Sequence, residues 1–151
     1  MGRNVFYRKI VISLTAILSN YEARSVEMIF PGRVFKFWEY SPTHSSLLIR
    51  SPSIGHDGEI NIDIIFKGVT YLRIPSGFLS PQIWECTEEE SVLLDNEYPR
   101  SSSHQRWYGI KSRDQSYFVL AMVMFIEENT EELLFKSVFD EPDFWAGMPR
   151  S

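Results

Sequence analysis

Alternation with a period of two runs through most of the chain and predicts strands. Val26, Met28 and Phe30 alternate with Glu27 and Ile29, and Val34 to Tyr40 resumes the pattern. Pro31-Gly32 lies between them; proline presets φ and glycine accepts positive φ, so the two runs predict a hairpin. Ser41-Pro42-Thr43 breaks the pattern, and His44 to Arg50 predicts a short strand around Leu47-Leu48-Ile49. Ser51 to Gly58 reads as loop. Beyond it Ile60, Ile62, Ile64 and Phe66 share one face, with Asn61, Asp63 and Ile65 on the other. Lys67-Gly68 predicts a two-residue turn and Val69 to Ile74 the returning strand. Phe78 to Thr87 is extended and interrupted at Pro81. Glu88-Glu89-Glu90 followed by Val92-Leu93-Leu94 suits either one helical turn or an edge strand.

Trp107 to Lys111 predicts a strand, Ser112 to Gln115 a turn, and Ser116 to Ile126 one long strand. Its apolar residues fall on both faces, as expected of a central strand covered on both sides. Glu127 to Glu132 reads as a turn and Leu133 to Phe139 as a strand pairing back, although Thr130 before Glu131 and Glu132 also suits a helix cap. Near the N-terminus Phe6, Ile10, Leu14, Ile17, Leu18 and Tyr21 make one helical face. Ile10, Ile12 and Leu14 also alternate among β-branched residues, so helix and strand both stay open. The expected fold is mainly β, an antiparallel sandwich or partly open barrel of seven to nine strands, with or without one short N-terminal helix. It forms a single domain over 1–151, with 1–24 as a segment of either type and 140–151 as a C-terminal tail.

Composition narrows the class. The 151 residues are 44% hydrophobic, enough for a core without disulfides or a structural metal. One cysteine, Cys86, forbids an intrachain disulfide and fits a reducing cytoplasm. No apolar run approaches the ~18 residues of a membrane helix. Arg3, Arg8 and Lys9 before Ile10 to Leu18 resemble the start of a signal peptide. Ser13 and Thr15 inside that run, and no small-x-small site after it, weigh against export. Residues 1–75 hold nine Lys/Arg against six Asp/Glu; residues 76–151 hold six against fourteen, a net of −8 there. That balance argues against a nucleic-acid groove.

Motifs for catalysis are missing. Asp57, Glu59, Asn61 and Asp63 share parity and could offer oxygen ligands to calcium, but the glycine spacing fails the EF-hand pattern. The expectation is a polar loop entering a strand with a wet outer face, and no metal. His44, His56 and His104 lack ligand spacing. Cys86, after Ile83 and Trp84, reads as a small core hydrophobe. No nucleophile elbow, dinucleotide fingerprint or phosphate loop occurs, so no cofactor is expected. Glu127, Glu128, Glu131 and Glu132 read as a solvated turn. The chain reads as non-enzymatic.

The sequence favours a protein-binding module with an acidic surface for a basic protein partner. Candidate contact residues are Glu88, Glu89, Glu90, Asp95, Glu97 and, beside the last carboxylate run, Trp145. The alternative is a β-barrel that binds a small apolar ligand in an aromatic-lined interior. An exposed sheet edge would add homo-oligomerisation. The segments Phe30-Pro31-Gly32-Arg33-Val34-Phe35, His44 to Ser51 and Asn61 to Val69 resemble those of small uncharacterised bacterial proteins, some of them like the immunity proteins of polymorphic toxin systems. The resemblance covers residues 26–75. It implies a cytoplasmic, β-rich, non-enzymatic domain and brings no catalytic motif.

Overall fold

The computed structural model describes residues 8–12, 27–52 and 60–130. They form eleven strands and one helix: β1 Arg8–Ile12, β2 Met28–Ile29, β3 Val34–Ser41, β4 Ser46–Ser51, β5 Asn61–Lys67, β6 Tyr71–Arg73, β7 Gly77–Leu79, β8 Gln82–Glu85, α1 Glu88–Asp95, β9 Arg106–Ser112, β10 Gln115–Ala121 and β11 Val123–Asn129. One antiparallel sheet runs β1-β11-β5-β4-β3-β7, the other β2-β8-β9-β10-β6. They pack as a sandwich. The strands outnumber the expected seven to nine because the predicted segment Phe78 to Thr87 divides into β7 and β8, and Ser116 to Ile126 into β10 and β11.

The core comes from residues of one parity on each sheet. Ile49, Ile64 and Ile126 lie directly opposite one another across β4, β5 and β11. Tyr108, Ile110 and Val119 meet them from the second sheet, all at most 1% exposed. Phe66 and Tyr108 close the gap edge to face at 5.6 Å, a favoured aromatic geometry. The interior is a packed core and not a barrel lumen, so the barrel expectation gives way to the sandwich.

Two predicted hairpins are changes of sheet instead. β2 pairs with β8 and β3 with β4 and β7, so Pro31-Gly32 carries the chain from one sheet to the other. Gly68, at φ +66, does the same between β5 and β6. The predicted long strand Ser116 to Ile126 breaks at Met122 into β10 and β11, again in different sheets. These crossovers are tied in pairs. The Met122 N–H donates to the Lys67 carbonyl at 2.9 Å and Thr70 to Leu120 at 3.0 Å, while Ser80 donates to Arg33 at 2.8 Å. The β9–β10 hairpin is as expected, turning at Arg113 with φ 57.

The outward side of β4, β5 and β11 is not wet. Leu48, Ile65 and Asp63 are fully buried, and Asn61, Arg50, Lys67, Glu127 and Asn129 nearly so. Arg50 grips Asp63 with both ends of its guanidinium, and Asn129 Nδ2 donates to the same carboxylate. Two expectations therefore fail: Asn61 and Asp63 line no solvated face, and Glu127 belongs to strand β11 rather than to a solvated turn. Of the N-terminal stretch, residues 8–12 are strand. His56, Asp57, Glu59, the run Leu133 to Phe139 and Trp145 lie outside the described residues.

Candidate docking surface

Thr87 starts α1. Its Oγ1 accepts from the Glu90 N–H at 3.2 Å, and its own N–H donates to Glu90 Oε2 at 2.8 Å. This reciprocal capping box satisfies two otherwise unpaired donors. Glu88, Glu89 and Glu90 fill the first turn, where the helix dipole favours negative charge. The edge-strand reading of this segment is thus replaced by a helix. The Thr87-x-x-Glu90 spacing was its signal.

The far end of α1 is bolted to β9. Trp107, 1% exposed, donates its indole N–H to Asp95 Oδ1 at 2.9 Å. Arg100 holds Asp95 and Glu88 together, with Nη2 2.8 Å from an oxygen of each. The hydrogen bonds from Arg100 and its positive charge lower the Glu88 carboxyl below its ordinary range. At Glu85 burial dominates and raises the carboxyl, against the pull of Arg106.

These contacts turn the helix the wrong way round for a surface helix. Ser91 is its buried residue and Asp95 faces the sheet, while Val92 is 53% exposed and Leu93 72%. Glu89 lies one turn before Leu93 on the same outward side. An apolar knob therefore stands in water beside carboxylates, the anatomy of a protein contact with an apolar centre and a polar rim. The helix and the segments beside it carry six carboxylates, Glu85, Glu88, Glu89, Glu90, Asp95 and Glu97, against three guanidiniums, Arg73, Arg100 and Arg106.

A cleft of about 580 Å³ opens beside the helix, between Leu94 and Glu97 on one side and Tyr71, Arg73 and Phe118 on the other, with Trp107 in its lining. Tyr71 packs against Tyr98 at 4.9 Å and against Trp107 at 5.5 Å. Glu97 meets Arg73 at 3.7 Å, and the two side chains are 64% and 80% exposed.

The structure thus brings Glu88, Glu89, Glu90, Asp95 and Glu97 into one region but gives them different work. Glu90 caps, Asp95 and Glu88 hold Arg100, and Glu89 and Glu97 face outward. Sequence reasoning missed Val92, Leu93, Arg100, Trp107 and Tyr71. A tryptophan whose indole must find an acceptor was the available clue to Asp95.

Other chemistry-bearing residues lie elsewhere. Burial, then the charges of Glu90 and Glu85, push the Cys86 thiol up to about 12, far from nucleophilic readiness at neutral pH. His44 is exposed, with Nδ1 3.1 Å from Ser41 Oγ, and His104 is exposed in a turn. Among the described residues no group of three or more His, Cys, Asp or Glu is placed to hold a metal ion, and no helix is long and apolar enough to cross a membrane. Comparison with protein-family models, with curated proteins and with solved structures returns no match.

Proposed function

We propose that this protein is a non-catalytic binding module that docks a basic protein partner on the outward face of α1, in the manner of an immunity-type inhibitor meeting a basic toxin. The observation that carries this reading is the inverted helix: Leu93, 72% exposed, stands one turn after Glu89 on the outward side while Asp95 points inward to Trp107. Carboxylates at the rim would steer a basic partner and speed its arrival, and the Val92-Leu93 knob would supply the dry centre.

Two variants test it, Leu93→Ser and Glu89→Lys, both on side chains directed away from the sheet. Each immobilised protein is offered extract from the native host at low and at high salt. A basic protein retained by the wild type at low salt, released by salt and lost from both variants supports the proposal. Retention by the variants equal to that of the wild type removes it.

A second reading rests on β3. Beyond Phe37, whose N–H donates to the Ser76 carbonyl at 2.9 Å, Trp38 and Tyr40 are 39% and 37% exposed along the strand edge. Such an edge suits a second copy of the chain. Solution mass, with Trp38→Lys as comparison, decides it; a monomer at high concentration ends that reading.

A further inference from the structure

The cleft beside α1 deepens the proposed function, and rests on it for the partner's identity. Its walls are the Tyr71 ring, Leu94 and Phe118, and its mouth carries Glu97 and Arg73. The carboxylates around it are not equally available. Glu88 and Asp95 are committed to Arg100 at 2.8 Å, and Glu90 to the helix cap. Among the described residues the Glu97 carboxylate meets only Arg73, at 3.7 Å, a pair whose members are 64% and 80% exposed and so screened by water. Aromatic walls with a carboxylate at the rim fit a side chain that has an apolar stem and a cationic planar head. A guanidinium also matches a carboxylate with two parallel hydrogen bonds, which the loose Arg73 contact does not achieve.

We infer that the cleft receives an arginine side chain of the basic partner, and that Arg73 holds its place in the unbound protein. The incoming guanidinium takes Glu97, Arg73 swings into solvent, and the arginine stem lies between Tyr71 and Leu94. Arg73 is then a competitor within the molecule, and losing it strengthens binding instead of weakening it.

The probe is N-acetyl-arginine amide, titrated into the full chain while the resonance of the Trp107 indole N–H is followed by NMR. Its neutral isostere N-acetyl-citrulline amide serves as control. The expected result is a saturable shift with the arginine probe at millimolar concentration and none with citrulline. Glu97→Gln should weaken the arginine probe at least fivefold, and Arg73→Ala should tighten it severalfold. Both side chains are exposed, so neither change threatens the fold. An equal response to citrulline, no saturable response, or an Arg73→Ala variant that binds no better would each overturn the inference. Leu93→Ser leaves the cleft intact. Probe binding that survives in that variant while the partner is lost, or is never found, separates the cleft from the docking face.

Discussion

The Trp107 indole N–H and the Asp95 carboxylate meet at 2.9 Å, and this bond fixes which side of α1 faces the solvent. A donor on a side chain 1% exposed needs a partner, because leaving it unmade costs about 1–3 kcal/mol. Asp95→Ala removes the acceptor and should lower unfolding stability by about that amount, read from urea melts with unchanged slope. Asp95→Asn keeps an oxygen acceptor and should lose less. Equal losses would mean that Trp107 does not depend on this contact.

The same residue sets an acid dependence. Burial pushes the Asp95 carboxyl upward, but the hydrogen bonds from Trp107 and Arg100 and the charge of Arg100 outweigh it, and the carboxyl ends below its ordinary range. A depressed value in the fold means that the unfolded chain takes up the proton first as pH falls. The stabilisation is complete above the ordinary Asp range, about pH 4, and is lost as pH drops through the native value. The melting temperature of the wild type should therefore fall more steeply below pH 4 than that of Asp95→Asn. Parallel pH profiles would remove Asp95 from the acid response.

Gly68 sits at φ +66, and a Cβ placed on it would lie 2.6 Å from Met122 Cγ. Met122 is 44% exposed and flexible, so its side chain can yield. The left-handed backbone cannot, and it costs a residue with a Cβ about 1–2 kcal/mol. Gly68→Ala should destabilise by about that amount, and adding Met122→Ala should recover only the crowding. A neutral Gly68→Ala would show that the bend is not held at this φ.

The bend also shows what the sequence could and could not reveal. The period-two pattern identified nearly every long strand, and with it the β class, because alternation is a local property. It could not distinguish a hairpin from a change of sheet. Val69 is buried after Gly68 much as it would be in a returning strand, and Ala121-Met122-Val123 stays apolar through the corner. What decides the path is the bonding of Met122 to Lys67 and of Thr70 to Leu120, contacts between distant parts of the chain. The carboxylates of the docking region were legible for the same local reason. The outward turn of Leu93 was not, since it depends on Trp107 waiting beneath the helix. The buried polar side of β5 was misread because alternation marks Asn61 and Asp63 as one face without saying whether that face is covered.

That covered face carries the sharpest stability prediction. Arg50 Nε lies 2.6 Å from Asp63 Oδ1 and Nη2 2.8 Å from Oδ2, with the side chains 5% and 0% exposed. The Trp38 ring centroid lies 5.2 Å from the guanidinium carbon. Removing one member of a buried pair strands the other and costs about 3–5 kcal/mol, whereas replacing both with apolar residues of similar size costs far less. Asp63→Leu should fall in that range. Arg50→Met should fall there too, because it leaves the Asp63 carboxylate buried without its guanidinium. The double variant should be more stable than either single one. Additive losses in chemical denaturation would mean that the two charges do not depend on each other, and that this face is held by the packing of Leu48, Ile65 and Phe125 instead.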